Sequence, residues 1–539
     1  MTTRNIELGS TIDPNVPGES LAFAIPSHHL TTHAVAVGMT GSGKTGLAMV
    51  VIEETLRAKT PVLVVDVKGD LPNLLLTLPT SDGSQYVEWI DEATAERHDS
   101  TVDDVCMDIA EARASALREW HFTDADIRAH RNAIAPRVLT PGTTSGESVN
   151  VLSSLETPST LWQSDPEAAR LLLAATVSLV LRLVGRDADA TRSRDHVVLS
   201  QFAERRLRAG RSADLGALLQ DLAEPPIEQI GAMAIDDYLS IRERKNLAAA
   251  LNSLVASPTF DSWRHGSPMD IAAWMTPGDD DRTPLVIVSV AHLDDEERGV
   301  FLGLLFEELL AWVRTLPGTS DLRALIAFDE VYGFLPPHPA NPPAKRPLLT
   351  LMKQARGFGV GILLATQNPM DVDYRALSNA GVWFVGRLQT DADRERVVEG
   401  MTGATEVGGG YVDPSVLADR LKRLSPRWFF VRDVYAQPTT YLVRTRPTLA
   451  WMRGPMTRVE LRRLMARGDA PFNSQTSSGG PSPPPSPSPS AGRREEGSDA
   501  LVVQGSPMPA ASVSPPPSVS ATGTLSSTAD IDGRSTGTR

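Results

Sequence analysis

Residues 34–52 read AVAVGMTGSGKTGLAMVVI, and this stretch decides the fold of the chain. Four apolar residues at 34–37 precede the pattern G-x-x-x-x-G-K-[ST] at 38–45, and an apolar helix-forming run follows at 47–52. A strand, a glycine-rich loop and a helix in this order are typical of a phosphate-binding loop. The stretch therefore predicts an α/β fold with a nucleoside triphosphate site at the loop.

The loop residues share the work of holding a triphosphate. Glycines let successive backbone N–H groups face one anion, and the following helix adds its positive N-terminal end. Lys44 is predicted to reach the β- and γ-phosphates, and the Thr45 hydroxyl to ligate Mg²⁺. We therefore expect ATP and Mg²⁺ as cofactors. The residues predicted to bind the nucleotide here are Gly38, Thr40, Gly41, Ser42, Gly43, Lys44, Thr45 and Gly46.

An acidic pair follows the apolar run ALIAF at 324–328. Asp329 and Glu330 stand in the arrangement called Walker B, and ligands of open α/β sheets gather at this end of the strands. Asp329 is predicted to hold Mg²⁺ through a water molecule, and Glu330 to act on the attacking water as general base. A helix N-cap pair is the alternative, which the complete phosphate loop disfavours.

Polar residues also follow two other predicted strands. The strand at 361–365 ends before Gln367, which can contact the γ-phosphate or help orient water. The strand at 61–65 ends before Asp66 and Lys68. We expect both near the nucleotide, because we place their strand directly beside the phosphate-loop strand. Ordinary turn residues are the alternative in both cases.

An arginine from a neighbouring molecule often completes a site for phosphoryl transfer. The candidates are Arg356, Arg387, Arg394 and Arg396. Arg356 is preferred because it lies between the Walker B strand and the strand that ends at Gln367.

The composition restricts the class of protein. The longest uncharged apolar run, 171–181, is too short to cross a bilayer, which needs roughly 20 residues. The first residues lack the apolar stretch of a secretory signal, and the single cysteine, Cys106, excludes a disulfide framework. We therefore expect a cytoplasmic protein without a membrane partner. The net charge of −14 counts against a surface that is basic throughout, but it does not exclude a local basic groove or pore.

The pattern of elements divides the chain into segments. Residues 1–30 are a short β-like segment, and 31–84 and 281–465 are two parts of one α/β core with a mostly parallel sheet. Between them, 85–280 shows helical periodicity, interrupted by a β-like piece at 137–140, and is interpreted as a helical insertion. Residues 466–539 are rich in Pro and Ser and are predicted to be a disordered tail.

These motifs resemble the HerA/FtsK superfamily of P-loop ATPases, and in particular bacterial HerA-like ATPases. The resemblance implies a RecA-like core, hexameric rings with nucleotide sites between subunits, and ATP-driven translocation or helicase action on double-stranded DNA. It implies that Arg356 serves the neighbour's site, and that a nuclease or other effector works alongside in DNA processing or antiphage defence. The resemblance is carried by residues 32–45, 66–70, 328–330, 351–359, 365–369 and 377–386.

The chain departs from that family in ways that keep a second function open. Val67 stands where the family usually has proline, and 1–30 is too short for the β-barrel that helps many members assemble. The alternative is a nucleotide-gated scaffold that recruits protein partners without moving DNA. For the DNA motor, the candidate contacts in a ring pore are Lys345, Arg346 and Lys353. The favoured alternative for each of them is an ordinary solvated side chain.

Overall fold

The computed structural model describes residues 4–12, 20–97, 99–402, 414–437 and 440–467. The predicted tail lies outside the described residues from 468 onward. Within these ranges the strands of one large sheet give the molecule its frame.

Eleven strands among the described residues form this sheet. They are β1 (Asn5–Ile12), β2 (Ser20–Pro26), β3 (Ala34–Val37), β4 (Val62–Asp66), β5 (Ile134–Leu139), β6 (Thr283–Ser289), β7 (Ala324–Asp329), β8 (Val360–Thr366), β9 (Val382–Val385), β10 (Trp428–Asp433) and β11 (Thr440–Thr445). Their order across the sheet is β2-β1-β11-β10-β9-β3-β8-β7-β4-β6-β5. The strands from β9 to β5 pair in parallel, and β2, β1, β11 and β10 extend the sheet with antiparallel pairs. The predicted α/β fold with a mostly parallel sheet is confirmed.

The phosphate-loop strand lies in the middle of this sheet. All four residues of β3 are fully buried, since helices cover both faces of the sheet. Val35 and Val37 join one apolar core, and Ala34 and Ala36 join the other, as the alternation of side chains along a strand requires. The sheet order corrects one expectation, because β8 and β7 lie between β3 and β4.

Helices occupy the connections between the strands. They are α1 (Lys44–Arg57), α2 (Glu92–Arg97), α3 (Val102–Arg118), α4 (Asp124–Ala133), α5 (Ser153–Glu156), α6 (Leu161–Ser164), α7 (Pro166–Leu183), α8 (Arg194–Arg208), α9 (Leu215–Ala223), α10 (Ile235–Tyr238), α11 (Ile241–Val255), α12 (Asp261–Arg264), α13 (Ile271–Met275), α14 (Asp295–Thr315), α15 (Lys345–Gln354), α16 (Tyr374–Leu377), α17 (Asp391–Thr402), α18 (Pro414–Arg423) and α19 (Arg458–Arg467). Helix α1 packs on the face that holds Ala34 and Ala36, and α7 and α14 pack on the other face.

The region at 85–280 contains mostly helices, together with one strand of the main sheet. The β-like piece predicted at 137–140 corresponds to β5, which pairs in parallel with β6 at the edge of the sheet. Short strand pairs also occur at 149–150 with 267–268, and at 229–230 with 233–234. This region therefore contributes directly to the sheet that carries the phosphate loop.

Candidate nucleotide site

The phosphate loop joins the C-terminal end of β3 to the first turn of α1. Gly41 and Gly43 have φ values of 80° and 92°, which residues with side chains rarely adopt. At Gly38, a Cβ atom would lie 2.5 Å from Ser42 Oγ, so the loop closes tightly only with glycine there. The backbone amide of Met39 donates to the carbonyl of Arg387 at 2.8 Å, which fixes the loop against the segment after β9.

Five polar side chains come together beside this loop, and we call them the strand-tip cluster: Thr40, Lys44, Lys68, Glu330 and Gln367. The carboxylate of Glu330 accepts hydrogen bonds from Gln367 Nε2 at 2.6 Å and from Lys68 Nζ at 2.9 Å. Lys44 Nζ lies 3.8 Å from the same Glu330 oxygen. The Thr40 hydroxyl donates to Gln367 Oε1 at 2.6 Å. A continuous chain of hydrogen bonds thus links Thr40 in the loop, through Gln367, to Glu330 directly after β7.

The charges of the cluster keep Glu330 ionised. Burial alone would raise the pKa of Glu330, but the hydrogen bond from Lys68 and the charge of Lys44 outweigh it and lower the pKa. Burial lowers the pKa of Lys44, while the nearby Glu330 carboxylate opposes that shift. Glu330 also has a φ of 72°, a conformation that non-glycine residues seldom adopt outside constrained sites. A base that accepts a proton must be ionised, and this environment favours that state.

Asp329 differs from its neighbour because its carboxylate has no internal partner. Only 2% of the residue is exposed, and neither carboxylate oxygen accepts a hydrogen bond from the described residues. Burial raises its pKa, and the charges of Lys68 and Lys44 partly offset the effect. Buried carboxylates are normally hydrogen-bonded or bound to a cation. An unpaired carboxylate beside a phosphate loop therefore fits a hard divalent cation such as Mg²⁺.

The other candidate ligand of the cation is Thr45, the second residue of α1. In the part of the chain that the structure describes, no group of three or more His, Cys, Asp or Glu side chains is arranged to hold a metal ion. Mg²⁺ in nucleotide sites is generally bound through one or two protein oxygens, with phosphate and water filling the remaining positions.

Asp66 lies beside Asp329 in the sheet and is used differently. The two residues are register partners of β4 and β7. The Asp66 carboxylate accepts hydrogen bonds from Gly69 N at 2.9 Å and from the Ser289 hydroxyl at 2.9 Å. Burial raises its pKa to about 6. Asp66 thus holds the loop that follows its own strand, and Lys68 is the residue of this segment that reaches the cluster.

Two of the candidate arginines, Arg356 and Arg394, make their hydrogen bonds outside the cluster. Arg356 precedes β8, whereas Gln367 follows it, so seven strand residues of about 3.3 Å each separate them. The Arg356 side chain is exposed and donates to the Tyr435 hydroxyl at 2.9 Å. Arg394 is buried and donates to the carbonyls of Leu388 and Gln389.

Sequence reasoning missed a segment that crosses α1, residues 446–456, which we call the strap. Arg446 forms buried ion pairs with Glu53 at 2.9 Å and Glu54 at 2.8 Å. The Glu53 carboxylate also accepts from the backbone amides of Leu449 and Ala450, both at 3.0 Å. Two adjacent glutamates directly after the apolar run at 47–52 were the available signal, because buried charges require partners.

The structure also revises the candidates for basic contacts in a pore. Lys345 is only 3% exposed, and its ammonium lies 3.0 Å from the Asp373 carboxylate. This buried ion pair argues against Lys345 as a contact for a DNA backbone, and it also differs from an ordinary solvated lysine. Arg346 and Lys353 are exposed.

No helix among the described residues is both long and apolar enough to cross a bilayer.

Comparison with known proteins gives a family match for part of the chain. Residues 6–126 match the family model described as "Helicase HerA, central domain". The match begins in β1, includes the phosphate loop and ends in α4. It confirms the resemblance to the HerA/FtsK superfamily that the sequence motifs indicate. No curated protein matches the chain.

Three solved structures match the chain at low identity. The unbound bacterial conjugative coupling protein TrwBΔN70 is 12% identical with a TM-score of 0.45, over 85% of this chain and 97% of that one. VirB4 of Thermoanaerobacter pseudethanolicus is 12% identical with a TM-score of 0.46, over 83% and 97%. The genome packaging NTPase B204 from Sulfolobus turreted icosahedral virus 2 is 14% identical with a TM-score of 0.22, over 30% and 69%.

Proposed function

We propose that this chain, which resembles the HerA central domain, is an ATP-hydrolysing motor that assembles into a ring, as a hexamer, and moves double-stranded DNA. The observation that carries the ATPase part is the strand-tip cluster, in which Glu330 contacts Gln367 and Lys68 and lies beside Lys44. The motor and the DNA substrate rest on the resemblance to HerA-like ATPases.

The side chains of the cluster have distinct roles in this proposal. Lys44 and the loop amides bind the β- and γ-phosphates, and Thr45 and Asp329 hold Mg²⁺. When bound, Mg²⁺ supplies charge stabilisation at the phosphate oxygens. Glu330 takes the proton of the attacking water. Burial would raise the pKa of Glu330, but Lys68 and Lys44 lower it, so the carboxylate is ionised and can accept this proton.

Gln367 provides a link between the phosphate loop and the base. Its Oε1 accepts from Thr40 in the loop, and its Nε2 donates to Glu330. A triphosphate that displaces the Thr40 hydroxyl would free the Gln367 amide to orient the attacking water. Gln367 would thereby report to the base whether the loop is occupied.

The position of Arg356 supports a site completed by a second copy of the chain. Within one chain it lies near the opposite end of β8 from the cluster, and its side chain is exposed. An arginine that serves the neighbour's nucleotide needs this separation and exposure. Mixing Arg356→Ala with Lys44→Ala protein should then restore part of the ATPase activity that each variant lacks alone.

The DNA part is tested by ATPase measurements with and without duplex DNA at several lengths. We expect stimulation that weakens as salt rises, because phosphate contacts release counterions. Lys44→Ala is the matched control and should lack both basal and stimulated turnover. Hydrolysis that no DNA length stimulates at low salt would instead favour the nucleotide-gated scaffold. Particle images with an ATP analogue, with and without duplex DNA, would show whether a six-fold ring surrounds DNA.

A further inference from the structure

The strap passes the first turn of α1 and places a methionine beside the phosphate loop. Met452 Sδ lies 3.7 Å from the position that a Cβ atom on Gly46 would occupy. The Met452 side chain is 41% exposed, although the strap residues Leu449 and Ala450 next to it are fully or almost fully buried. An exposed thioether is thus presented at this end of the loop.

The backbone around Met452 is fixed on both sides. Upstream, Glu53 accepts hydrogen bonds from two strap amides, and the amide of Trp451 donates to the Leu76 carbonyl at 2.9 Å. Downstream, Asn73 Nδ2 donates to the Gly454 carbonyl at 2.8 Å, and the amide of Met456 donates to the Gly69 carbonyl at 3.0 Å. The side chain is therefore exposed on a rigid support, which is the condition for a preformed contact.

The direction of a bound triphosphate follows from the cluster. Glu330 and Gln367 lie next to Lys44, so the γ-phosphate end is on their side of the loop. Gly46 is the third residue of α1, and the first amides of a helix have no acceptor within the helix. These amides are left to bind the phosphate nearest the nucleoside. The nucleoside then leaves the loop past Gly46, where Met452 stands.

We propose that Met452 forms the wall against which the base of the bound nucleoside triphosphate packs. This inference rests on the proposed nucleotide-binding function and identifies the subsite that holds the nucleoside. A thioether packs favourably against an aromatic ring and forms no directional hydrogen bond that separates one purine from another. The contact should therefore strengthen binding of ATP and GTP to a similar degree.

Steady-state kinetics of Met452→Ala test the proposal. We expect KM for ATP and for GTP to rise about three- to tenfold with kcat unchanged, because a contact equal in ground and transition states is removed. Inhibition by inorganic tripolyphosphate, which has no base, should keep the parent inhibition constant. Met452→Leu retains apolar volume and should restore most of the parent KM.

Met107→Ala is the matched control, since Met107 is an exposed methionine in α3, and it should leave KM unchanged. An unchanged KM in Met452→Ala would overturn the proposal. So would an equal loss of tripolyphosphate inhibition, since that would locate the damage in the phosphate loop. If the parent protein hydrolyses neither ATP nor GTP, the proposed function itself fails, and direct binding of ATP and tripolyphosphate still decides whether Met452 contacts the base.

Discussion

Two aspartates at neighbouring strand tips, Asp66 and Asp329, show how similar sequence positions acquire different roles. Each is the last residue of a buried parallel strand, and they face each other in register. The Asp66 carboxylate accepts hydrogen bonds from the Gly69 amide and the Ser289 hydroxyl. Asp329 has no such partner among the described residues. The difference teaches that a buried carboxylate without hydrogen-bond donors from the fold is the one available to a ligand.

The largest expected effect concerns Glu330, which follows Asp329. Glu330→Gln keeps the size of the side chain and its position but removes the group that accepts a proton. We expect turnover to fall by about 10²–10⁴ while ATP binding is retained. Single-turnover hydrolysis and equilibrium binding of ATP separate the two. Hydrolysis at the parent rate would show that another group is the base.

Exchanging each aspartate for its amide tests the comparison itself. Asp329→Asn should lower Mg²⁺-dependent turnover by about 10²–10³, because a cation that stabilises transition-state charge contributes several kcal/mol. Asp66→Asn should retain turnover within about threefold, since an amide can still serve the loop through hydrogen bonds. Equal losses in both variants would remove the distinction between the two tips.

The pH dependence of stability provides a third test. Burial raises the pKa of Asp66 to about 6, above its value of about 3.9 in an unfolded chain. The folded state thus holds the proton more tightly, so this group's contribution to the free energy of unfolding falls as pH rises from about 4 to 6. The loss should be about 3 kcal/mol relative to Asp66→Asn. Denaturant unfolding of both proteins across this range measures it, and parallel curves would contradict the assignment.

The smallest expected effect concerns the loop that Asp66 holds. Gly69 has a φ of 84°, and a Cβ atom there would meet its nearest neighbour at 3.6 Å. Space is therefore sufficient, and Gly69→Ala should cost only the backbone strain of about 1–2 kcal/mol. Turnover should fall little, since Lys68 stays near Glu330. Gly41→Ala, in the phosphate loop, is the contrasting variant, since its strain acts where the nucleotide binds.

Local patterns predicted most of the elements that carry the candidate site. The apolar runs before Gly38 and Asp329 became β3 and β7, because strands buried on both faces leave a continuous apolar signature. The order of strands was less accessible. Adjacent placement of β3 and β4 was expected, but β8 and β7 intervene, because sheet order depends on pairing between segments far apart in the chain.

Side-chain partners were the least predictable part of the site. Lys68 was expected to serve the nucleotide, and the structure shows it bonded to Glu330, more than 250 positions away. The burial of Lys345 against Asp373 could not be read from its basic character alone. The roles of the site residues remain predictions, since they depend on a bound nucleotide and on other copies of the chain. The division into segments also remains a prediction.

The place of β3 in the sheet has a consequence for how the protein is made. Its neighbours β8 and β9 begin more than 300 positions later in the chain. At about 5–20 residues per second, the ribosome needs at least about 15 s to supply them. Throughout that interval the apolar strand β3 lacks both of the strands that pair with it. We expect the nascent chain to need chaperone protection until β9 emerges from the ribosome. Nucleotide binding should begin only then.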